Sequence, residues 1–233
     1  MLRQPARSRQ SELQVGPYTT TAAHPVVWLA SYPRSGNTFL RTILWHCFGL
    51  RSASVYPKDL GGNRALEQYV GHIEHGPQIR DQLRQNGIAL IKTHELPQDS
   101  NPAIYVIRDG RAACVSLWRF GEKAIPLESV IEGRHRFGAW ADHVRAWNPR
   151  HRPSTLLLRY EDLRDELPGC LDGISRFLDR PAVGERLPER NAIAASDGRW
   201  VRRESSWQAE LDGPVLARFN EMNRDVLGAY GYL

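Results

Sequence analysis

The chain has 233 residues, of which 41% are hydrophobic and 24% charged, and its formal net charge is +5 at pH 7. This composition is typical of a globular domain with its own core. Because no run approaches the roughly 20 apolar residues that cross a bilayer, no integral membrane segment is expected. Three widely spaced cysteines indicate neither a disulfide framework nor a zinc site. The positive charge fits nucleic acid, an acidic membrane surface or a small polyanion.

Residues 1–23 are rich in arginine, glutamine and serine and contain no apolar core of the kind that a secretory signal needs. They are predicted to be a flexible polar arm, and residues 24–233 to be a single domain. Because the cysteines suggest no disulfides, a cytoplasmic location is expected.

Short apolar runs alternate along this domain with segments whose apolar residues recur at helical spacing. Residues 26–30, 88–91, 103–107 and 155–158 are predicted to be buried strands, and residues 50–63 a loop. Helices are predicted over 37–48 with Gly49 as the stop, within 65–85 with a break near Gly76, over 112–120, within 127–147, from Pro168 to 178, and from Pro214 onward with Val215, Phe219, Met222 and Val226 facing inward. Continuous apolar strands between helices indicate an α/β fold with a central parallel sheet flanked by helices on both faces.

The segment from Ser31 to Thr38 joins the first predicted strand to the first predicted helix. Backbone N–H groups at a helix N-terminus attract anions, and Gly36 allows the close approach of a phosphate group. The pattern departs from a Walker A loop, since Ser31 stands for the first glycine, Asn37 stands for the lysine, and the cation comes earlier, at Arg34. It predicts a P-loop-type domain for an anion shorter than a triphosphate, with an ordinary polar turn as the alternative.

Polar residues follow the second predicted strand, at the sheet edge where parallel sheets bind ligands. Among them, His94 has the side chain whose ordinary pKa lies nearest to neutral pH, which suits a general base. Lys92 supplies positive charge for a transferring anionic group. A purely structural histidine is the alternative, and Glu95 is expected to be solvated and not to orient a basic acceptor.

The third predicted strand runs directly into Arg108, and Ser116 follows eight positions later on the next predicted helix. An arginine fork and a serine hydroxyl are both suitable donors to a phosphate. A surface ion pair between Arg108 and Asp109 is the alternative, while Asp109 and Arg111 are expected to be structural.

In order along the chain, residues 32–39, 92–97, 105–116 and 157–163 resemble the motifs of the sulfotransferases that use 3′-phosphoadenosine 5′-phosphosulfate (PAPS). The resemblance implies in-line transfer of a sulfuryl group to a hydroxyl or amine, release of 3′,5′-bisphosphate adenosine (PAP), and no metal. It implies that His94 is the catalytic base and that Lys92 and Arg34 are also catalytic. The residues that it implies for nucleotide contacts are Arg34, Ser35, Gly36, Asn37, Thr38, Phe39, Arg108, Ser116, Tyr160, Arg202 and Arg203. In this family many members have lysine at the position of Arg34, aspartate at that of Ala112 and glycine at that of Glu204.

The acceptor is predicted only by class, as a small molecule, a glycan or a lipid, and the oligomeric state is left open. Residues that are candidates to touch it are His72, His75, Trp118, Phe120 and Trp140, although Trp140 is expected to be helical core. A P-loop kinase or nucleotide hydrolase is disfavoured by Asn37 and by the lack of an evident magnesium-binding aspartate after a strand. A basic protein that binds nucleic acid is the third alternative, and no nucleic-acid partner is expected.

Overall fold

The computed structural model describes residues 26–76, 79–85, 87–196 and 207–233. The polar arm predicted for residues 1–23 lies outside these residues, as do Arg202 and Arg203. Within the described ranges, no helix combines the length and the apolar character that crossing a membrane requires.

A single sheet of five parallel strands forms the centre of the molecule, in the order β2-β3-β1-β4-β5. The strands are β1 Val26–Ala30, β2 Ala53–Ser54, β3 Ala89–Thr93, β4 Ala103–Ile107 and β5 Thr155–Arg159. Strands β1, β3 and β4 are buried along their whole length, which is why each reads as a continuous apolar run.

Helices cover both faces of this sheet, as predicted. They are α1 Asn37–Phe48, α2 Arg64–Val70, α3 Ile79–Gln85, α4 Gly110–Phe120, α5 Leu127–Ile131, α6 Trp140–Trp147, α7 Tyr160–Asp165, α8 Leu167–Leu178, α9 Arg190–Ser196, α10 Gly213–Met222 and α11 Arg224–Ala229, with short 3₁₀ turns at Asp59–Gly62 and Trp207–Ala209. Trp28 and Tyr105 face one hydrophobic cluster, and Leu29 and Ile104 face a second cluster on the opposite side of the sheet. Since neighbouring residues of a strand point to opposite faces, two separate cores result.

Some of the predicted elements differ in the structure. Residues 50–63 are not only a loop, because they contain β2 and a 3₁₀ turn, and β3 continues through Lys92, which the sequence placed beyond the strand. The prediction that Met222 faces inward was wrong: it is 41% exposed, because α10 ends there and a new helix begins at Arg224. The expectation that Trp140 is core was right, since it is 1% exposed and lies against Gly110.

Candidate active site

The loop between β1 and α1 has the shape of an anion cradle. Arg34 and Gly36 both have positive φ angles, of 65° and 105°, so the chain turns sharply before α1 begins. A Cβ on Gly36 would come within 2.5 Å of the Tyr160 ring, so only glycine fits this position. The first backbone N–H groups of α1 have no partner within the helix, as at any helix N-terminus.

Two polar side chains of the loop differ in what they can offer a ligand. The amide of Asn37 donates to the Leu29 carbonyl at 2.8 Å and to Ser31 Oγ at 3.3 Å, so it holds the loop onto β1 and leaves only its backbone N–H for an anion. The hydroxyl of Ser35 is buried and has no hydrogen-bond partner among the described residues. An orphaned donor inside a cradle of this kind suits a phosphate oxygen.

Three other predicted residues lie against this loop. Arg34 Nε donates to Ser116 Oγ at 3.3 Å, and its guanidinium lies 4.5 Å from the centroid of the Phe120 ring. Arg108 donates to the Arg34 carbonyl at 3.1 Å and lies over the Tyr160 ring at 4.4 Å. The ends of β4 and β5 and the face of α4 therefore bring their predicted phosphate ligands to the loop that follows β1.

Phe39 is partly buried and meets Tyr160 edge to face, with ring centroids 6.4 Å apart. The two aromatic residues predicted to lie near the adenine are thus neighbours. Asp109 and Arg111 are structural, as expected, because Asp109 caps α4 and forms an ion pair with Arg111 at 2.9 Å.

His94 lies directly beside the loop. Its Nδ1 is 2.8 Å from the carbonyl oxygen of Ser31, and since a carbonyl can only accept, Nδ1 carries the proton. The lone pair is then on Nε2, for which no partner occurs among the described residues. Burial, followed by the charge of Lys92, holds the pKa of His94 well below its ordinary value. The ring is therefore neutral at pH 7, in the state that a general base requires.

The surroundings of His94 fix both its ring and its backbone. The ring stacks on Tyr56 at 5.8 Å, and Phe137 meets it edge-on at the same distance. The His94 N–H donates to the Tyr56 hydroxyl at 2.9 Å, while Nε2 of His143 donates to the His94 carbonyl at 3.1 Å. His143 in turn accepts from the Tyr105 hydroxyl at 2.9 Å, so its own tautomer is also fixed.

Glu95 is not simply solvated, as the sequence had suggested. Its Oε1 accepts hydrogen bonds from the Tyr56 hydroxyl at 3.1 Å and from Arg136 at 2.6 Å. The Arg136 guanidinium also lies 5.3 Å from the Tyr56 and Phe137 ring centroids. Glu95 therefore contacts Tyr56, which stacks on His94, and Arg136, which lies near Phe137.

Lys92 belongs to a buried ionic cluster that sequence reasoning did not find. Its Nζ lies 2.5 Å from Asp59 Oδ1, and Asp59 Oδ2 lies 2.6 Å from Arg41 Nη1. Arg41 also donates to His72 Nδ1 at 2.7 Å and to Ser52 Oγ at 2.8 Å. Burial alone would raise the pKa of Asp59, but Lys92 and Arg41 together hold it below its ordinary range, so the carboxylate is ionised.

A cavity of about 560 Å³ lies beside this cluster. Its walls include residues of α1, α2 and α3 together with His72 and His75, two of the residues considered for acceptor contact. His72 belongs both to the cavity wall and to the buried cluster. Of the other candidates, Phe120 lies against Arg34, and Trp118 donates to the Ile125 carbonyl at 2.8 Å.

Comparison with known proteins identifies the group to which these features belong. The model of a family described as "Sulfotransferase domain" matches residues 24–194. Human sulfotransferase 1E1 is 27% identical over 184 residues, which cover 70% of this chain and 61% of that protein. Rat sulfotransferase 1 family member D1 is 27% identical, with 66% of this chain and 59% of that protein covered. The chain thus spans about three fifths of the length of these relatives.

Solved structures give the same result for the fold. Mouse sulfotransferase SULT7A1, solved in complex with PAP, has a TM-score of 0.61 at 18% identity, with 90% of this chain and 89% of that chain covered. A retinol dehydratase in complex with retinol and PAP has a TM-score of 0.56 at 20% identity, with 88% and 82% covered. The predicted P-loop-type α/β fold is confirmed.

Proposed function

The chain belongs to the sulfotransferase family, and from that premise we propose that it transfers a sulfuryl group from PAPS to a hydroxyl or amine acceptor and releases PAP. The observation that carries the proposal is the contact between His94 and Ser31, which sets a neutral imidazole against the anion cradle with its Nε2 lone pair unused by the described residues. Transfer of an anionic group to a protonated nucleophile requires a base and an anion site that lie close together.

The described residues fit such a nucleotide. The orphaned hydroxyl of Ser35, the Gly36 turn and the backbone N–H groups of Asn37 and Thr38 would hold the sulfated 5′-phosphate. Arg108 and Ser116 would hold the 3′-phosphate, and Phe39 and Tyr160 would contact the adenine. Arg202 and Arg203 remain further candidates for the 3′-phosphate.

In the proposed reaction, His94 Nε2 takes the proton of the acceptor while the acceptor oxygen or nitrogen attacks sulfur and the bond from sulfur to the 5′-phosphate oxygen breaks. Arg34 lies at the loop, where its charge would offset that on the sulfuryl oxygens and the departing phosphate. Lys92 would contribute as a second, buried positive charge next to His94. His143 and Tyr56 hold the backbone of His94 in place.

The test is transfer of label from [³⁵S]PAPS to a panel of phenols, alcohols, sugars and amines. Retinol and androsterone belong in the panel, because retinol dehydratase structures of the same fold hold them together with PAP. Mg·ATP serves as the comparison ligand in binding experiments. Binding of Mg·ATP but not of PAP, with no transfer to any acceptor, would refute the proposal.

The variant His94→Ala separates catalysis from binding. We expect transfer to fall by at least about a hundredfold, the scale of a lost general base, while PAP still binds with little change. The matched control is His151→Ala, since His151 is exposed. If His94→Ala lost PAP affinity in proportion to activity, His94 would be a structural residue and the proposed mechanism would be wrong.

A further inference from the structure

The buried ionic cluster that contains Lys92 joins the two elements that the proposed reaction uses. Arg41 is on α1, the helix that begins at the anion cradle, and Lys92 is on β3, the strand that leads to His94. Asp59 lies between them and contacts each cation with a different carboxylate oxygen, Oδ1 with Lys92 and Oδ2 with Arg41. The side chains of Arg41, Asp59 and Lys92 are all at most 4% exposed.

The cluster places its charges where water is largely excluded. Asp59 contacts both cations, and His72 accepts from Arg41 through Nδ1, so that ring is neutral. Because charges interact more strongly in such a place than in water, the field at the neighbouring site depends on where the Lys92 ammonium is held.

Asp59 itself is held by the local backbone. It begins the 3₁₀ turn Asp59–Gly62, in which Leu60, Gly61 and Gly62 all have left-handed φ angles between 61° and 70°. Leu60 adopts this conformation although it is not a glycine, and its side chain is 2% exposed against Leu66 and Val70. Burial of Leu60 thus fixes a strained turn, and the turn fixes the position of the carboxylate.

Lys92 reaches His94 through one aromatic ring. Its Nζ lies 5.4 Å from the centroid of Tyr56, and Tyr56 stacks on the His94 imidazole. A shift of the ammonium would therefore alter both the field at His94 and the ring against which His94 is held.

We propose that Asp59 is a positioning residue for sulfuryl transfer, whose two carboxylate oxygens hold the Lys92 ammonium beside Tyr56 and His94 and connect it through Arg41 to the helix of the anion cradle. The proposal rests on the proposed function, because it assigns Asp59 a part in that reaction. Asp59 acts through Lys92 and is not expected to touch the nucleotide or the acceptor.

The test compares kcat, KM for PAPS and the dissociation constant of PAP for the wild type, Asp59→Asn, Lys92→Met and the double variant, with the panel acceptor that the wild type uses fastest. Asp59→Asn keeps the shape of the side chain and removes its charge. We expect kcat to fall on the order of tenfold to a hundredfold, as for a small displacement of a catalytic group, while PAP binding changes less than about threefold. Asp225→Asn is the matched control, because Asp225 forms an exposed ion pair with Arg145.

The double variant distinguishes positioning from a structural role. If Asp59 acts through Lys92, Asp59→Asn has little further effect on kcat once Lys92→Met is present. Multiplicative losses in the double variant, or a wild-type kcat in Asp59→Asn, would overturn the inference. If Asp59→Asn does not fold, Asp59→Glu decides: it keeps the charge, displaces the carboxylate by one methylene, and is expected to lower kcat with PAP binding retained. A wild type that neither binds PAP nor transfers label would refute the proposed function itself, which is a different outcome from an active wild type with an unaffected Asp59 variant.

Discussion

The stability of the protein is expected to depend on pH through His72, and the structure gives the sign. His72 is 4% exposed, and because Arg41 can only donate, Nδ1 of His72 must be unprotonated to accept from it. Burial, then the charge of Arg41, lowers the pKa of His72 to about 4. Replacing His72 by Asn keeps an acceptor for Arg41 and removes the titrating ring.

The size of the effect follows from the two pKa values. In the unfolded chain the imidazole takes up a proton as the pH falls below about 6.5, whereas in the folded protein it does so only near 4. The stability contributed by neutral His72 is therefore complete above about pH 6.5 and is lost as the pH falls towards 4. Each tenfold difference in proton affinity is worth about 1.4 kcal/mol, so the full contribution is roughly 3 kcal/mol, of which about 2.5 kcal/mol disappears between pH 7.5 and 4.5.

Urea unfolding at several pH values between 7.5 and 4.5 measures this contribution. The free energy of unfolding should fall with pH by about 2.5 kcal/mol more in the wild type than in His72→Asn. The burial of His143 also lowers its pKa to about 4, but His143 is present in both proteins and cancels in the difference. His151→Asn, at an exposed site, should keep the wild-type slope. Equal slopes for the wild type and His72→Asn would refute the reasoning, since His72 would then not be held neutral by its surroundings.

Two further predictions concern nucleotide binding. Gly36→Ala should weaken PAP binding by at least about tenfold, because the new Cβ would lie 2.5 Å from the Tyr160 ring at a φ of 105°. The control is Gly49→Ala, with a φ of 66° and nothing within 4 Å of the new Cβ, which should lose stability but not PAP affinity. Equal PAP affinities for the two variants would contradict the assignment of the loop as an anion cradle. Arg108→Gln should weaken the binding of PAP far more than that of adenosine 5′-phosphosulfate, which lacks the 3′-phosphate, as measured by titration calorimetry. The control is Arg176→Gln, at an exposed site. Equal weakening of binding for the two nucleotides would count against a 3′-phosphate role for Arg108.

Those parts of the fold that depend on local pattern could be predicted from the sequence. The apolar runs of β1, β3, β4 and β5 gave strands within two residues of their observed ends, and α1 has the predicted bounds with Gly49 as its left-handed stop. Strand β2 could not be predicted in this way, because it is two residues long, contains Ser54, and exists only through its pairing with β3. A strand this short carries no periodic signal of its own.

The same distinction between local pattern and tertiary contacts applies to the candidate site. His94 and Arg108 follow strands directly, and Arg34 lies in the loop after β1. The common direction of the parallel strands brings all three to one edge of the sheet.

Asp59 has no such signal. It lies in a segment that reads as a polar loop, 33 residues from Lys92, and its place is set by the left-handed turn that follows it and by the burial of Leu60. A lone aspartate in a loop is usually solvated, and only the path of the chain reveals that this one lies between two buried cations. Motifs thus predict which groups meet at the proposed anion site, whereas the carboxylate that contacts Lys92 is placed by tertiary contacts. For that reason a substitution at Asp59 tests the organisation of the site more directly than a substitution within a motif does.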